Sequence, residues 1–387
     1  MNSPISQESY PPLIVTSEMG PTGETGVQTH FNSFIDYLRE RGRQVEFVGP
    51  DEAKIAHMHY RVSDGVLRRM VRIHRQSAYS AMRSLSLYAT RAELARRLKG
   101  LPAWSVYAQD PVTAQAAISI RRLPSHRVVL AAHYNVSQAE EMACRGHLRK
   151  GDRLYQRILD QEKATLHSAD KVVVFSAFMR DRLRRHAGIA DRFVVIPNAA
   201  RLPEVAPASN SRDLIAIGSL EPRKNQEFLL RVLAEARRRG QVYSLTLVGS
   251  GEDRQRLETL ARDLGVAAQT HFLGRQRNAA SLISAHKLLV HSALIENLPI
   301  TLIESLAAGV PILASPVGGI PEIFNDGVEG RFWNLTNVNA AADVMIHLLE
   351  DNAMRMRMAE AAKERFRAMF EHTRIFDSIS NVVYGKN

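Results

Sequence analysis

Cysteine is almost absent from this sequence of 387 residues, in which Cys144 stands alone. A single cysteine excludes an intramolecular disulfide and favours a reducing compartment. Long apolar runs are also missing, since no segment reaches the roughly 18 consecutive apolar residues of a membrane-spanning helix. Residues 1–10 are polar and lack a basic stretch followed by an apolar core, which predicts no secretion signal. We therefore expect a cytoplasmic protein, either soluble or peripheral on the inner face of the plasma membrane.

Acidic residues are fewer than basic ones, and the net charge is +11. The imbalance lies in the first half of the chain. Residues 1–200 contain 29 Lys and Arg against 19 Asp and Glu, whereas residues 201–387 contain 22 against 21. A basic half is typical of proteins that meet an anionic membrane, a phosphorylated ligand or nucleic acid. The sequence shows no zinc-ligand spacing and no aromatic RNA-binding signature, so we predict no nucleic-acid partner.

Strand-like and helix-like segments alternate along both halves. In the first half, apolar strands at 13–15 and 45–48 flank a glycine-rich loop and a helix with apolar residues at helical spacing. In the second half, strands are expected at 213–218, 244–248, 270–273, 288–291, 311–314 and 329–333, with helices between them. This alternation predicts two parallel α/β domains. The Pro-, Ala- and Ser-rich segment 203–211 is the expected linker, so we assign residues 1–200 and 201–370 to the two domains.

The loop 20–26 contains three glycines, Gly20, Gly23 and Gly26, in front of a predicted helix. Glycines at this spacing are typical of a dinucleotide-binding fingerprint. A nicotinamide cofactor also requires an acidic residue at the end of the second strand, and this chain has none there. A Rossmann oxidoreductase is therefore the weaker alternative. His30, in the same helix, is expected on the helix surface.

Residues 54–99 contain eleven Lys and Arg but only two acids, Asp64 and Glu93. At about 100° per residue, the basic side chains fall on one side of a helix and apolar side chains occupy much of the other. The basic face consists of Arg68, Arg69, Arg72, Arg75 and Arg83. Such a helix can lie on an anionic membrane or contact a lipid pyrophosphate, or it can pack on the core with a solvated basic face. Both interpretations remain open.

Two glutamates, Glu296 and Glu304, mark the most informative stretch, residues 291–311. An apolar strand ends before Glu296, and a helix is predicted from Pro299 to Gly309. Glu296 is therefore expected in a loop at the carboxyl end of a strand, and Glu304 about two turns further on, in the helix. Ligands of parallel α/β sheets bind beyond the carboxyl ends of the strands, and helix N-termini favour phosphate.

This stretch resembles the Glu-x7-Glu motif of the family-4 retaining glycosyltransferases, and residues 309–322 match the continuation of that motif closely. The resemblance covers residues 13–335 and is patchy in the first half. It implies the GT-B fold, an α/β architecture of two Rossmann-like parallel-sheet domains facing a cleft. Family members return their final helix to the first domain. Residues 372–384 are the candidate helix here, so residues 371–387 are assigned to the first domain.

The turn 217–225 resembles the family loop in which an arginine and a lysine bind the donor diphosphate. Lys224 matches the family lysine, whereas Ser219 stands where the family has arginine. Arg223 is the candidate replacement, because a guanidinium group can bind phosphate in a bidentate manner. Fixed cations would stabilise the charge that grows on the leaving nucleoside diphosphate.

The resemblance also assigns donor contacts to the Glu-x7-Glu stretch. Glu304 matches the carboxylate that accepts hydrogen bonds from the ribose hydroxyls. Glu296 matches the glutamate beside the transferred sugar and is the first catalytic candidate. Backbone N–H groups after it would contact sugar and phosphate, and they belong to Asn297, Leu298 and Ile300.

In the first half, residues 129–135 resemble the family strand that ends in a histidine near the donor sugar and the acceptor, which makes His133 the second catalytic candidate. Gly26 lies in a stretch that resembles the family loop near the donor phosphates. Asp110 follows another predicted strand and is either an acceptor contact or a turn-forming residue before proline. Ala199 replaces a family glycine near the domain junction, which weakens any role at that position.

By this resemblance, the predicted reaction transfers a hexosyl unit from a UDP- or GDP-sugar to a hydroxyl group, with retention of configuration. The expected acceptor is a lipid-linked saccharide in bacterial exopolysaccharide, capsule or lipopolysaccharide synthesis. Apart from the nucleotide-sugar co-substrate we expect no cofactor and no metal, since the sequence lacks an Asp-x-Asp motif. The alternatives are a non-catalytic nucleotide-sugar-binding protein, which Ser219 favours, and a GT-B-like nucleotide-sugar epimerase.

Overall fold

The computed structural model describes residues 10–23, 25–52, 75–134, 137–144, 146–189, 191–201 and 212–386. The chain divides into two compact units. The first comprises Met1–Ile196 and Phe376–Asn387, and the second comprises Pro197–Ile375. The expected linker, 203–211, lies outside the described residues.

The first unit contains a parallel sheet in which six strands are described, in the order β2-β1-β3-β4-β5-β6. Burial is complete along β1 and β3, as expected for a parallel sheet covered on both faces. The strands are β1 (Leu13–Thr16), β2 (Val45–Val48), β3 (Trp104–Ala108), β4 (His126–Ala132), β5 (Lys171–Val174) and β6 (Phe193–Val195). The helices are α1 (Gly26–Glu40), α2 (Arg75–Arg97), α3 (Pro111–Ile120), α4 (Gln138–Cys144), α5 (Arg153–Ser168) and α6 (Ala177–Ala187), with a 3-10 turn at Pro50–Glu52.

The second unit repeats the plan, with six described strands in the order β12-β11-β10-β7-β8-β9. The strands are β7 (Arg212–Ile217), β8 (Leu245–Val248), β9 (Thr270–Gly274), β10 (His286–His291), β11 (Ile312–Ala314) and β12 (Gly330–Phe332). The α-helices are α7 (Gln226–Arg238), α8 (Arg254–Asp263), α9 (Ile300–Ala308), α10 (Ile320–Ile323), α11 (Val338–Glu350) and α12 (Asn352–Met369). The 3-10 helices are Pro222–Lys224, Ala267–Gln269 and Ala279–Ala285. The predicted α/β class is confirmed.

Each sheet reverses its strand order at one point, between β1 and β3 in the first unit and between β7 and β10 in the second. The connections that leave the two central strands diverge at such a point and open a crevice beyond the carboxyl ends of the strands. In the second unit, the loops that flank this crevice are 218–225, after β7, and 292–299, after β10.

The last helix, α13 (His372–Tyr384), joins the first unit from Phe376 onward. Phe376 is 1% exposed and packs against Phe34 and Tyr37, with ring centroids 5.6 and 5.4 Å away. The backbone carbonyl of Val382 accepts a hydrogen bond from Arg127 Nε at 3.0 Å. The predicted return of the C-terminal helix to the first domain is confirmed.

Two sequence predictions for the first unit are wrong. His30 is 2% exposed rather than on the helix surface, because α1 turns this side chain toward Tyr107, whose hydroxyl lies 3.0 Å from His30 Nε2. Arg83 is 8% exposed rather than part of a solvated face, because it lies beside α4 and donates to Gln138 Oε1 at 2.6 Å.

The rest of the predicted basic face falls on side chains that the structure does not describe. Arg68, Arg69 and Arg72 lie outside the described residues, as does the side chain of Arg75. Among the residues that the structure describes, no helix combines the length and the apolar character needed to cross a bilayer.

Candidate functional site

Hydrogen bonds join the two loops that flank the second-unit crevice. Ser292 Oγ donates to the carbonyl of Lys224 at 3.0 Å. The N–H of Leu294 donates to the carbonyl of Arg223 at 2.9 Å. The loops after β7 and β10, which lie on opposite sides of the strand-order reversal, are therefore held together.

Glycines allow a third loop, after β8, to press against the loop after β7. A Cβ at Gly249 would lie 1.9 Å from the carbonyl oxygen of Gly218, and a Cβ at Gly251 would lie 2.1 Å from that of Leu220. Gly249 also has φ +142°, which favours glycine. Neither Gly249 nor Gly251 is among the residues predicted from sequence, although glycines directly after a strand signal a close backbone approach.

The 3-10 turn Pro222–Lys224 directs two cations toward the loop after β10. Lys224 Nζ donates a hydrogen bond to Oε1 of Glu296. Arg223 Nη1 lies 3.5 Å from the same oxygen. The direction of Arg223, which the sequence does not determine, is thus toward Glu296.

Glu221 holds the guanidinium group of Arg223 in place. Its Oε1 accepts from Arg223 Nη2 at 2.7 Å and from Ser219 Oγ at 2.7 Å. Ser219 is therefore tied into its own loop and adds no charge. Arg223 and Lys224 supply the positive charge that this loop brings to the crevice.

Glu296 is a buried carboxylate, 7% exposed. In addition to Lys224 and Arg223, Nε2 of His291 lies 3.6 Å from Glu296 Oε1. Burial by itself raises the pKa of Glu296, but Lys224, His291 and Arg223 together outweigh burial and hold the pKa well below its usual range. Glu296 is therefore ionised at neutral pH. His291 is not among the residues predicted from sequence, because its proximity to Glu296 depends on the path of the loop.

The backbone of Glu296 is held by the loop after β11. Gly318 has φ +61°, and a Cβ there would lie 1.6 Å from the carbonyl oxygen of Glu296. The N–H of Gly319 donates to that carbonyl at 3.4 Å. Only glycine permits this approach. Gly318 therefore helps to fix the backbone position of Glu296, from which the side chain extends.

Glu304 lies on α9, whose bounds agree with the prediction within one residue. The helix spans Ile300–Ala308, and Gly309 ends it in the left-handed conformation. Burial raises the pKa of Glu304 to about 7. The two glutamates of the motif are therefore shifted in opposite directions: the pKa of Glu296 is lowered by neighbouring cations, and the pKa of Glu304 is raised by burial alone.

The structure brings most of the predicted donor-site residues to one crevice. The residues in its two loops are Arg223, Lys224, Glu296, Asn297 and Leu298. Leu298 is buried, and its carbonyl accepts from Asn198 Nδ2 at 2.7 Å. Ile300 opens α9, where the first N–H groups of a helix have no intrahelical acceptor.

The other two predicted site residues, His133 and Gly26, lie in the first unit. His133 follows β4, its Nε2 lies 2.9 Å from Gln109 Oε1, and its ring packs against His30 and Phe175 at centroid distances of 5.2 and 4.6 Å. Burial, assisted by His30, holds the pKa of His133 well below its usual range. A Cβ on Gly26 would contact none of the described residues within 4 Å, so packing does not require glycine there.

Asp110 serves as a helix cap. Its Oδ1 accepts from the N–H of Thr113 at 2.8 Å, at the start of α3, and its Oδ2 accepts from the N–H of Glu18 at 2.8 Å. Both carboxylate oxygens are thus engaged with backbone. Of the two sequence interpretations, this geometry supports the turn-forming one.

The second-unit crevice suits a ligand with an anionic part and a hydroxyl-bearing part. Two cations and the first-turn N–H groups of α9 can bind anionic oxygens, and a carboxylate accepts hydrogen bonds from hydroxyl groups. Within the described part of the chain, no group of three or more His, Cys, Asp or Glu side chains is placed to hold a metal ion.

Two Rossmann-like units, each with a parallel sheet that reverses its strand order once, define the class of protein as α/β of the doubly wound type. Residues 25–202 match the family model described as Glycosyltransferase Family 4, and residues 200–365 match the one described as Glycosyl transferases group 1. The chain belongs to the family-4 glycosyltransferases. The family predicted from the Glu-x7-Glu stretch is confirmed.

Curated relatives match parts of the chain. A GDP-mannose-dependent alpha-(1-6)-phosphatidylinositol monomannoside mannosyltransferase of Mycolicibacterium smegmatis is 31% identical over 220 residues, which cover 51% of this chain and 57% of the relative. The lipopolysaccharide core biosynthesis glycosyltransferase LpsE of Rhizobium meliloti is 29% identical over 173 residues, covering 45% and 50%. The chain spans about half the length of these curated relatives.

Solved structures resemble the whole chain. Sucrose-phosphate synthase from Thermosynechococcus elongatus has a TM-score of 0.74 at 18% identity, covering 96% of this chain and 98% of that one. HepE from Anabaena, solved in complex with UDP-glucose, has a TM-score of 0.70 at 19% identity, covering 96% and 99%. At this identity the likeness concerns the fold, and the predicted GT-B architecture is confirmed.

The Lys224–Glu296 ion pair should contribute to the stability of the second unit. Lys224→Met should destabilise the second unit by about 3 kcal/mol, because it removes the nearest cation from a buried carboxylate. Adding Glu296→Gln should recover about 1–2 kcal/mol, since a neutral amide needs no counter-charge. Urea unfolding measures both values, and in a Trp104→Phe background the fluorescence of Trp333 reports on the second unit.

Lys287→Met is the matched control for this cycle. Lys287 pairs with Asp213 at 2.8 Å near the opposite ends of the strands, where its side chain is 34% exposed. Its loss should cost less than about 1 kcal/mol. Equal losses in Lys224→Met and in the double variant would contradict a buried ion pair.

Glu304→Gln should be nearly neutral for stability at pH 5 and stabilising at pH 8. Because the pKa of Glu304 is raised on folding from 4.5 to about 7, the folded protein binds this proton more tightly than the unfolded chain. Wild-type stability therefore falls as pH rises through that window. The amide introduced by Glu304→Gln cannot ionise and avoids the loss, which amounts to about 1–3 kcal/mol. A difference in urea midpoint that stays constant from pH 5 to pH 8 would count against a raised pKa.

Proposed function

We propose that the protein is a retaining glycosyltransferase that moves a hexosyl unit from a UDP- or GDP-sugar to a hydroxyl group of a lipid-linked saccharide. The observation that carries this proposal is the buried Lys224–Glu296 pair, with Arg223 beside it, at the strand-order reversal of the second unit. A site of this kind holds cations and a carboxylate where an anionic leaving group and a polyhydroxyl group would both need partners.

In this proposal the donor diphosphate displaces Glu296 as the partner of Lys224. Arg223 and the first-turn N–H of Ile300 add donors to the same phosphates. As the bond between the sugar C1 and the β-phosphate oxygen breaks, negative charge grows on that oxygen, and the fixed cations stabilise it. The acceptor oxygen forms the new bond to C1, and its proton passes to the departing phosphate. The nucleoside diphosphate and the glycosylated acceptor are then the two products.

The remaining residues position the substrates. Glu304 accepts from the ribose hydroxyls, and Glu296 accepts from hydroxyls of the transferred sugar. Backbone N–H groups of Asn297 and Leu298 lie in the same loop as Glu296. In the first unit, His133 is the proposed contact with transferred sugar and acceptor, and Gly26 the proposed approach to the donor phosphates. We propose that the reaction uses no metal and no cofactor.

The acceptor assignment draws on the basic first half of the chain and on the relatives. One relative is named for a phosphatidylinositol mannoside and another for the lipopolysaccharide core. We propose a lipid-linked acceptor in exopolysaccharide, capsule or lipopolysaccharide synthesis, and peripheral contact of residues 54–99 with an anionic membrane at the inner face of the plasma membrane.

Co-sedimentation with vesicles tests the membrane contact. We expect binding to vesicles that contain anionic lipid at low ionic strength and release at high salt, because surface charges are screened by salt. Neutral vesicles are the control. Equal sedimentation with anionic and neutral vesicles would remove this part of the proposal and leave the donor chemistry untouched.

Binding and hydrolysis of four donors test the central part. UDP-glucose, UDP-N-acetylglucosamine, UDP-galactose and GDP-mannose are titrated into wild type, Lys224→Ala, Glu304→Ala and the matched control Lys287→Ala. We expect donors of one nucleotide base, uridine or guanosine, to bind. Lys224→Ala and Glu304→Ala should each weaken binding at least about tenfold, since each removes one charged contact of about 1.5–3 kcal/mol. Lys287→Ala should bind the donor as the wild type does. Slow hydrolysis of the selected donor should accompany binding.

Other outcomes of this titration separate the alternatives. Binding without hydrolysis or transfer would favour a non-catalytic nucleotide-sugar-binding protein. Conversion of the donor sugar to its epimer without an acceptor would favour an epimerase. Failure to bind any of the four donors would contradict the proposed function as stated.

A further inference from the structure

His291 is the last residue of β10 and is 6% exposed. Its backbone is fixed, because its carbonyl accepts from Trp333 Nε1 at 3.1 Å and from the N–H of Ser315 at 3.2 Å. Its ring is not satisfied in the same way. Among the described residues, neither ring nitrogen has a partner at hydrogen-bond distance. A buried polar group without a partner is uncommon in proteins and calls for a structural or functional explanation.

A carboxylate oxygen of the site itself lies close to this ring. Nε2 of His291 lies 3.6 Å from Oε1 of Glu296, the oxygen that also accepts from Lys224. Shortening this separation by about 0.7 Å would give an ordinary N–H···O hydrogen bond. Arg223 Nη1 lies 3.5 Å from the same oxygen, but in the proposed mechanism Arg223 also binds the diphosphate. The imidazole is therefore the donor that remains beside Glu296 when Lys224 leaves.

We propose that His291 is a positioning residue that becomes the hydrogen-bond donor to Glu296 when a donor diphosphate draws Lys224 away. This inference rests on the proposed function, in which Lys224 binds the diphosphate. Without a replacement, the departure of Lys224 would leave Glu296 as a buried carboxylate with a weakened counter-charge, which is costly. His291 supplies the replacement from a fixed strand end and keeps the carboxylate oriented toward the sugar.

The electrostatics agree with a neutral donor rather than a second cation. The charged groups that face the ring are Lys224 and Arg223, from the loop after β7, and Glu296, from its own loop. Burial lowers the pKa of His291, Glu296 raises it, and the two cations lower it further, with a net downward shift. A neutral imidazole can donate from Nε2 without competing with Lys224 and Arg223 for the diphosphate.

The test compares His291→Leu, which removes the donor, with His291→Gln, whose side-chain amide retains one. We expect His291→Leu to lower kcat by about 10- to 100-fold while the affinity for UDP or GDP and the donor KM change less than about threefold, because the lost interaction acts on Glu296 and not on the diphosphate. His291→Gln should stay within about fivefold of wild type. His291→Met fills the same space flexibly and replaces Leu if that variant does not fold.

The pH profile separates positioning from packing. With the donor bound and the imidazole gone, the Glu296 carboxylate has lost two of its partners, so its pKa in the complex should rise. The acidic limb of the pH profile, where kcat falls as the pH is lowered, should therefore move to higher pH in His291→Leu. In His291→Gln it should keep its wild-type position. A purely structural role would lower the amount of active protein without moving this limb.

His286→Leu is the matched control. His286 opens the same strand, is equally buried, and bonds to Leu282 O at 2.8 Å and to Thr246 Oγ1 at 2.9 Å. Its loss should lower stability and leave kcat per folded molecule and the acidic limb unchanged. Provided that the wild type turns over the donor, two results would overturn the inference. One is a wild-type kcat and pH profile in His291→Leu. The other is an equal loss of kcat in the Leu and Gln variants with no shift of the acidic limb. Absence of donor turnover in wild type would instead overturn the proposed function, and this inference with it.

Discussion

A buried carboxylate needs a cation within reach, and Glu296 obtains one from a different loop. The loop after β10 carries Glu296, and the 3-10 turn after β7 carries Lys224. These strands are neighbours in space but distant in sequence, so the pair forms only when the sheet reverses its strand order between them. Two glycines from neighbouring loops pack closely against this pair of loops. A side chain at Gly249 would clash with the backbone of Gly218, and one at Gly318 with the backbone of Glu296.

The two glutamates of the motif show how one stretch of chain can hold two different carboxyl groups. Glu296 is buried beside cations and stays ionised, whereas Glu304 is buried without them and titrates near neutrality. Environments that separate the pKa values of two nearby acids are typical of sites in which each acid has its own task. In the proposed mechanism, Glu296 exchanges one partner for another during donor binding, and Glu304 gains the ribose hydroxyls as partners.

The order and approximate bounds of the strands and helices can be predicted well from the sequence, because strands of a parallel sheet are apolar throughout and helices end at glycine and proline. For α9, the expected bounds Pro299–Gly309 differ from the observed Ile300–Ala308 by one residue at each end. Burial of polar side chains is harder to predict. His30 and Arg83 are buried against Tyr107 and Gln138, which are far away in sequence, so the local pattern of residues does not reveal either contact. The position of His291 beside Glu296 likewise depends on the path of the loop between them.

The exchange at the centre of the proposed mechanism replaces Glu296 by a nucleoside diphosphate as the partner of Lys224. A structure of the protein with UDP or GDP bound would test it most directly. We predict that Lys224 Nζ then lies within hydrogen-bond distance of a phosphate oxygen, with His291 Nε2 about 2.9 Å from Glu296 Oε1. A bound diphosphate that contacts neither Lys224 nor Arg223, while the Lys224–Glu296 pair remains intact, would contradict it.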